Sequence, residues 1–378
     1  MKLLVTFTFD ISLKDWHDQG ILSRELAIYK RMVREGNAVG ILTYGGKEDL
    51  EYRNELEGIE LFPIYTYMNR RKGKAGRFFS SFLIPFRLSP IFKHYEIYKT
   101  NQMLGAWVAV IAKIIYRKRL VVRCGYEWLR NSMRESGPIK RVFIAIFGYI
   151  YEFIIYHAAS SIVVSAEGLS HFIKKAFLVP AKRVVSIPNF VNTEAFKRID
   201  KTQSENRRAL YIGRLHRTKN LESLIGGVKK ASIPIGLDII GSGVDLKRLK
   251  ELAGREGVDV RFLGTIPNER LAPIINKYPV FVLVSRFENH PKTLLEAMAC
   301  ERVVVGSDVE GIRDIIRNDI SGILVPGNAD GIKDGLEKAF SMADDQRISF
   351  GKKAREYVEK TFSLDEIFKK ESALYVAS

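Results

Sequence analysis

The sequence predicts an α/β protein with two domains, each built on a parallel β-sheet. Its 378 residues are too many for one ordinary hydrophobic core and suit two domains of roughly 180 residues. In both halves short apolar runs alternate with helical segments, an order that produces βαβ units and therefore parallel strands. A polar stretch at 197–208 marks the linker. We assign 1–196 and 197–359 to the two domains and expect 360–378 to pack back on the first.

The opening of the chain sets the pattern of the first domain. Residues 2–9 form an apolar strand-like run, and 38–43 form a second one. Between them Leu22, Leu26 and Tyr29 recur at spacings of four and three, which marks one face of a helix. This βαβ opening predicts a parallel sheet. Further strand-like runs lie at 59–65, 119–124 and 161–165.

The second half repeats the alternation of strands and helices. Strand-like runs lie at 209–213, 236–241, 258–263, 280–285, 302–306 and 322–325. Helical sequence follows from 344 to 376. Two open parallel sheets in tandem face each other across a cleft at the carboxyl ends of their strands. We therefore expect ligand-binding residues in the loops that follow the strands.

The most apolar part of the chain is 142–156, VFIAIFGYIYEFIIY. It is shorter than the roughly 20 residues that a membrane-spanning helix needs, and it contains Glu152. We predict a buried helix that leads into the strand at 161–165. A helix that lies in a membrane interface is the alternative.

Composition and spacing disfavour several functional classes. Cys124 and Cys300 stand in apolar runs without a CxxC or metal-ligand spacing, which indicates reduced core thiols and a cytoplasmic protein. The first residues predict a strand rather than a signal peptide. The six histidines show no metal-ligand spacing, and no two Asp residues lie at i and i+2. The absence of an opening GxGxxG argues against a nicotinamide-dependent dehydrogenase.

Positive charge is concentrated in one segment of the chain. Residues 61–141 hold 17 Lys and Arg against three acidic residues, whereas the rest of the chain supplies only +3 of the net +17. A local basic field favours an anionic partner. Its densest part mixes cations with aromatic side chains, namely Arg70, Arg71, Lys72, Lys74, Arg77, Phe78 and Phe79.

Cations beside phenylalanines favour an anionic membrane surface, so we expect a peripheral protein on the inner face of the cell membrane. A solvated basic rim of the first domain is the second interpretation. Nucleic acid is the third, and no nucleic-acid-binding motif accompanies the basic segment. We therefore expect no nucleic-acid partner.

The first chemical motif follows the strand at 209–213. Gly213 permits a ligand to approach the backbone closely, and Arg214 and Lys219 come just past the carboxyl end of the strand. Two cations there can hold a diphosphate, the arginine as a fork and the lysine as a point charge. Because charged loops are common, the pair taken alone favours a solvated basic loop.

The second motif follows the strand at 280–285. Pro291 predicts that a helix begins near Lys292, with its free backbone N–H groups available to an anion. Glu296 lies a turn into that helix, where its carboxylate can accept hydrogen bonds from sugar hydroxyls. Glu288 lies on the preceding loop. A glutamate near a helix start is also an ordinary partner of the helix dipole, so Glu288 alone is weak evidence.

Together these residues resemble the family-4 retaining glycosyltransferases, which are group 1 glycosyl transferases of GT-B fold. Glu288 and Glu296, with seven residues between them, match the E-x7-E motif of that family. The resemblance covers about 160–340, whereas the N-terminal domain resembles the family only in its pattern of elements. It implies two Rossmann-like, doubly wound parallel-sheet domains facing a cleft. Further matching segments are 187–189, Gly213-Arg214, Lys219-Asn220, 241–243, 262–264, 290–299 and Gly311-Ile312.

The resemblance implies a role for each matching residue. Arg214 and Lys219 would hold the diphosphate, Glu288 would lie near the donor sugar, and these three would be catalytic. Glu296 would hold the nucleotide ribose. The segment 263–265 would contact the base. The full set of further donor-binding positions is Gly20, Gly213, Gly241, Leu263, Gly264, Thr265, Asn289, His290, Pro291, Lys292, Thr293 and Glu296.

Two positions depart from the family pattern. The first loop has Gln19-Gly20 where Gly-Gly is usual. After the fourth strand many members have a His-Asp pair, but this chain has VRCGYEW at 122–128. Any polar contact to the sugar or acceptor would then come from Tyr126, from Glu127 or from the backbone.

These expectations describe an enzyme of the hexosyltransferase class in polysaccharide or glycolipid biosynthesis. It would move a sugar from a nucleotide-diphosphate sugar to a hydroxyl of a saccharide or lipid-linked acceptor and retain the anomeric configuration. We expect no cofactor and no metal, since cations and a helix start can neutralise the leaving diphosphate. The alternatives are another GT-B enzyme, such as a sugar-nucleotide epimerase, or a non-enzymatic basic protein that binds membrane or nucleic acid.

Overall fold

The computed structural model describes residues 1–125, 128–135, 137, 141–142, 144–200, 205 and 207–376. They form two compact units, each organised around its own parallel sheet. The N-terminal unit contains Met1–Ile187 and Lys370–Ser378, and the C-terminal unit contains Pro188–Lys369.

The sheet of the N-terminal unit has, within the described residues, seven parallel strands in the order β3-β2-β1-β4-β5-β6-β7. Its strands are nearly continuous apolar runs because helices cover both faces of a parallel sheet. The strands are β1 Lys2–Thr6, β2 Ala38–Thr43, β3 Glu60–Pro63, β4 Ile97–Thr100, β5 Arg119–Cys124, β6 Ser161–Val164 and β7 Val184–Ser186.

The helices of this unit connect the strands. A capping box of Ser12 and Asp15 starts the first of them. Short 3-10 turns lie at Lys47–Glu55, Ile64–Thr66 and Ala181–Arg183, and a π-helical turn lies at Ile144–Gly148. The α-helices are α1 Leu13–Asp18, α2 Leu22–Arg34, α3 Gly73–Ser81, α4 Ile84–Arg87, α5 Ser89–His94, α6 Ala106–Tyr116, α7 Trp128–Glu135, α8 Tyr149–Ala158 and α9 Glu167–Ala176.

The segment 142–156 is not the buried helix that the sequence predicted. The π-helical turn and α8 expose a row of apolar side chains, among them Ile146, Ile150 and Ile154. Glu152, the one charged residue of the run, is instead fully buried. It accepts hydrogen bonds from the Leu129 backbone N–H at 2.9 Å and from a tyrosine hydroxyl. The prediction was wrong because apolar composition does not reveal which helix face finds polar partners inside the protein.

The sheet of the C-terminal unit has, in the part of the chain that is described, six parallel strands in the order β10-β9-β8-β11-β12-β13. The chain adds β9 and β10 on one side of β8 and then continues with β11 on the other. The strand order therefore reverses between β8 and β11. The strands are β8 Arg208–Ile212, β9 Gly236–Ile240, β10 Val260–Gly264, β11 Val280–Leu283, β12 Val303–Ser307 and β13 Ile323–Val325.

The remaining helices alternate with these strands and then close the chain. Two 3-10 turns lie at Arg217–Lys219 and Asn268–Arg270. The α-helices are α10 Leu221–Lys230, α11 Leu246–Glu256, α12 Leu271–Ile275, α13 Lys292–Ala299, α14 Glu310–Arg313, α15 Ala329–Ser341, α16 Asp344–Phe362 and α17 Leu364–Val376.

The boundaries of the units differ from those that the sequence predicted. The chain leaves the N-terminal unit at Ile187 rather than at 196, because Val191 pairs with Ser363 and Phe196 packs in the C-terminal core. It returns at Lys370 rather than at 360. The units therefore do not separate at the polar stretch 197–208, whose described residues belong to the C-terminal unit.

Candidate active site

Two loops meet where the strand order of the C-terminal sheet reverses. Residues 213–220 follow β8, and residues 284–291 follow its parallel neighbour β11. The Arg286 backbone N–H donates to the Thr218 carbonyl at 2.9 Å, which joins the loops directly. In open α/β sheets, ligands bind in the crevice outside the carboxyl ends of the strands at such a reversal. The topology therefore brings both predicted motifs to one place.

An ion pair between Lys219 and Glu288 bridges the two loops. The lysine Nζ contacts Glu288 Oε1, and the Ser285 hydroxyl donates to the same oxygen at 2.7 Å. The lysine and glutamate side chains are 16% and 11% exposed. The three residues form one group, in which the carboxylate fixes the position of the ammonium close to solvent.

Arg214 stands beside this group and differs from Lys219 in being exposed. Within the described residues no carboxylate pairs with its guanidinium. Its backbone carbonyl accepts a hydrogen bond from the Tyr211 hydroxyl at 3.2 Å. Burial and the nearby Glu288 carboxylate raise the pKa of Tyr211 well above its ordinary value, against the opposing effect of Arg214. Tyr211 therefore stays neutral and holds the loop, while the guanidinium can receive an anion.

Two glycines allow the loops of the site to lie in contact. A Cβ on Gly241 would lie 2.0 Å from the Gly213 carbonyl oxygen, and the φ of Gly241 is +135°. A Cβ on Gly311 would lie 2.1 Å from the Asn289 carbonyl oxygen. Larger residues at either position would push backbone segments apart. Gly311 thus lets α14 press against the loop that carries Glu288.

The helix α13 begins at Lys292, as Pro291 predicted. Glu296, a turn into the helix, is almost fully buried and accepts a hydrogen bond from Asn268 Nδ2 at 2.8 Å. Asn268 is itself buried. The amide therefore fixes the carboxylate in one orientation, as a group that binds a ligand hydroxyl requires.

The predicted loop residues around Pro291 have different environments. The His290 ring is buried, 5.0 Å from the Phe362 ring, and the Lys292 ammonium lies 5.6 Å from the centre of the Phe190 ring. These side chains contact aromatic neighbours of the C-terminal unit. Asn289, Pro291 and Thr293 are half-buried.

The remaining predicted donor residues belong to other segments of the chain. Leu263, Gly264 and Thr265 are exposed at the end of β10, and the Thr265 hydroxyl donates to Ser242 Oγ at 3.1 Å. Gly20 belongs to the N-terminal unit, where it is buried between α1 and α2 with a φ of +66°. Tyr126 and Glu127 lie outside the described residues.

The predicted membrane patch is smaller than the sequence indicated. Arg77 is largely buried and donates two hydrogen bonds of 2.6 Å to Asp10, and the half-buried Phe78 packs against Trp107. These two residues were wrongly assigned to the surface, because α3 turns one face towards the rest of the unit. Exposed members of the patch are Arg70, Arg71, Lys72, Lys74 and Phe79.

Three residues of the site were not predicted from the sequence, namely Tyr211, Ser285 and Asn268. A polar residue at the carboxyl end of an apolar strand is a usable signal, and Ser285 has it. Asn268 gave none, because its partner Glu296 is 28 residues away. Tyr211 resembles any other buried strand residue.

Known proteins that resemble this chain are glycosyltransferases. Residues 192–357 match the family model of the glycosyl transferases group 1. An uncharacterized glycosyltransferase of Methanocaldococcus jannaschii is 23% identical over 372 residues, which cover 94% of this chain and 89% of the relative. A phosphatidyl-myo-inositol mannosyltransferase of Mycobacterium tuberculosis is 31% identical over 150 residues, 38% of this chain and 39% of that one. Two other curated relatives are matched over about half of their length.

Solved structures share the fold over the whole chain. Sucrose-phosphate synthase from Thermosynechococcus elongatus superposes with a TM-score of 0.81 at 18% identity, over 99% of this chain and 98% of that one. The Anabaena protein HepE in complex with UDP-glucose superposes with a TM-score of 0.75 at 16% identity, over 100% of both chains. The predicted GT-B fold and the resemblance to group 1 enzymes are confirmed.

Proposed function

We propose that this chain, a glycosyltransferase with a group 1 domain at 192–357, is a family-4 enzyme that transfers a sugar from a nucleoside-diphosphate sugar with retention of configuration. The observation that carries the proposal is the Lys219–Glu288 pair at the strand-order reversal, with the exposed Arg214 beside it. Two cations and a fixed carboxylate at one strand-order reversal suit a ligand that has both a diphosphate and hydroxyl groups.

The cations would act on the leaving group. When the bond between the anomeric carbon and the phosphate oxygen breaks, negative charge develops on the diphosphate. Arg214, Lys219 and the N-terminus of α13 would stabilise that charge, which is the usual source of the largest rate gain in such transfers. The acceptor oxygen forms the new bond on the face that the diphosphate leaves, and its proton goes to the departing phosphate oxygen.

The carboxylates would orient the donor. Glu288, held by Lys219 and Ser285, would receive hydroxyls of the transferred sugar, while Glu296, held by Asn268, would receive the ribose. The exposed backbone at 263–265 would meet the base. HepE, a protein of the same fold, has been solved with UDP-glucose, which supports a nucleotide-sugar donor. Since the cations can neutralise the diphosphate, we propose that no metal ion or other cofactor takes part.

The acceptor is proposed to be a hydroxyl of a saccharide or of a lipid-linked saccharide. Two of the relatives carry names that support such an acceptor, a phosphatidyl-myo-inositol mannosyltransferase and a lipopolysaccharide 1,6-galactosyltransferase. The exposed cations Arg70, Arg71, Lys72 and Lys74 would attract an anionic leaflet on the cytoplasmic side. Among the described residues, none of the helices combines the length and apolarity needed to cross a bilayer.

The direct test is a panel of nucleotide sugars offered with methanol as a surrogate acceptor. We expect slow transfer from one donor, and nuclear magnetic resonance of the methyl glycoside should show the anomeric configuration of that donor. Arg214→Ala is the matched inactive control. An inverted glycoside would contradict retention. A donor converted to an epimer without transfer would identify an epimerase instead.

A further inference from the structure

The outer face of α8 exposes apolar side chains to solvent, whereas the charged side chain of the helix is buried. Its charged residue, Glu152, is fully buried, whereas Phe147, Ile150 and Ile154 are 64%, 50% and 54% exposed. The spacings of three and four place these side chains in one stripe along the π-helical turn and α8. A surface helix normally turns such a stripe towards the core. An exposed apolar stripe of this kind is typical of a surface that binds an apolar partner.

The stripe continues across α6 to α4. Lys113 on α6 donates to the Ala158 carbonyl at the end of α8, and Tyr116 on α6 donates to the Pro85 carbonyl on α4 at 2.8 Å. α6 thus lies between the two, and its Ile114 is 70% exposed. Across the three helices and the end of α3 the face includes Phe79, Phe86, Ile114, Phe147, Ile150 and Ile154.

The face is large for a surface that meets only water. Six large apolar side chains, each at least half exposed, exceed the singly scattered apolar residues that are normal on the surface of a monomer. Exposed cations border it at Arg71, Lys74 and Arg87. A patch that combines apolar area with a basic border is complementary to a bilayer with anionic headgroups.

We propose that this composite face of α4, α6 and α8, together with the end of α3, inserts into the headgroup region of an anionic bilayer and anchors the protein there. The proposal rests on the membrane location included in the proposed function, and it names the apolar face rather than the basic segment as the main anchor. The basic segment supplies long-range attraction that salt screens, whereas burial of apolar side chains does not depend on salt.

Three full-length variants separate these contributions. The face variant combines Ile114→Glu with Ile150→Glu, and the charge variant changes Arg70, Arg71, Lys72 and Lys74 to Ser. Ile320→Glu, at an exposed isoleucine of the C-terminal unit, is the matched control. Each is sedimented with phosphatidylcholine vesicles that contain or lack phosphatidylglycerol, at low and at high salt. Circular dichroism checks that each variant is folded.

We expect the unaltered protein to bind the anionic vesicles and to keep part of that binding at high salt. The face variant should bind at least tenfold more weakly and lose the salt-resistant part. The charge variant should lose only the salt-sensitive part, and Ile320→Glu should bind like the unaltered protein. Binding by the face variant equal to that of the unaltered protein would overturn the proposal.

Analytical ultracentrifugation tests whether a second copy covers the face instead. A dimer that the face variant dissociates, together with no vesicle binding, would overturn the proposal. Donor hydrolysis is measured on the same samples and should be unchanged in all three variants. Absent hydrolysis with intact vesicle binding would refute the proposed transfer reaction and leave the membrane face supported.

Discussion

In each unit, a lysine–glutamate pair among the described residues is largely shielded from solvent, and these two pairs differ in their surroundings. Lys99 and Glu371 in the N-terminal unit are both 2% exposed, and their contact measures 2.7 Å. Lys219 and Glu288 in the C-terminal unit are 16% and 11% exposed and connect two loops at the strand-order reversal. We propose that the two pairs have different roles: the enclosed pair holds the end of the chain in place, whereas the pair that solvent reaches can exchange its partner for a ligand.

The surroundings of the enclosed pair support its fastening role. Burial lowers the pKa of Lys99 despite its partner, while Lys99 and Arg123 lower the pKa of Glu371 despite its burial. Arg123 adds a contact of 3.1 Å, and the Tyr375 hydroxyl donates to the same glutamate. These bonds attach the end of α17 to β4 and β5.

The largest effect should follow from removing the enclosed carboxylate. Glu371→Gln leaves Lys99 and Arg123 without a buried counter-charge, so the free energy of unfolding should fall by about 3–5 kcal/mol. Urea denaturation followed by circular dichroism measures it. Glu366→Gln on the same helix is the control, because solvent screens its surface pair with Lys369 and the substitution should change the free energy of unfolding little. A loss below 1 kcal/mol for Glu371→Gln would show that the pair does not fasten the chain.

Substitutions at the site near solvent should lower activity and leave the fold intact, in contrast to substitution of the enclosed pair. Lys219→Ala and Arg214→Ala should each lower turnover by about 10²–10³-fold, because each removes a group that stabilises the leaving diphosphate. Both variants should remain folded in a thermal melt. Arg217→Ala, an exposed cation of the same loop, is the control and should keep normal turnover. Near-normal turnover in either of the first two variants would refute the diphosphate assignment.

Substitution of the two carboxylates of the site should affect different quantities, namely nucleotide affinity for Glu296 and turnover for Glu288. Glu296→Ala should weaken nucleoside-diphosphate binding about 10- to 150-fold, since a hydrogen bond to a charged group is worth about 1.5–3 kcal/mol. Glu288→Ala should leave that affinity nearly unchanged and mainly lower turnover, since it contacts the reacting sugar. Calorimetric titration together with initial rates measures both. Unchanged nucleotide affinity in Glu296→Ala would rule out the ribose role.

Chelation of divalent metal ions should have the smallest effect on the rate of transfer. If Arg214, Lys219 and the start of α13 neutralise the diphosphate, then EDTA should leave the rate of transfer unchanged within error. The rate is measured before and after dialysis against EDTA. Loss of activity that Mg²⁺ or Mn²⁺ restores would mean that the cations are insufficient and that the charge argument is wrong.

The sequence revealed most where local chemistry decides the structure. Pro291 placed the start of α13, and the alternation of apolar runs predicted both parallel sheets. Lys219 and Glu288, which are 69 residues apart in sequence, were identified in separate loops, but their contact depends on β8 and β11 being neighbours in the sheet.

Predictions from the sequence were wrong where they concerned which face of a helix is buried. The run 142–156 was assigned to the core because it is apolar. Its one charged residue, Glu152, is nevertheless buried, and it accepts a hydrogen bond from a backbone N–H. Arg77 was assigned to the surface because it is charged, yet Asp10 pairs with it. Both errors arise from long-range partners that neither periodicity nor composition encodes.

The central claim is that the site around Lys219 and Glu288 binds the donor diphosphate. A thermal-shift titration with nucleoside diphosphates tests this claim most directly. A ligand that binds only the folded protein raises its melting temperature, and the rise grows with the logarithm of the ratio of ligand concentration to Kd. We predict that at least one nucleoside diphosphate raises the melting temperature of the unaltered protein and of Arg217→Ala, and that none raises that of the Arg214→Ala/Lys219→Ala double variant. Equal shifts in the double variant and the unaltered protein, or no shift with any nucleoside diphosphate, would contradict the account.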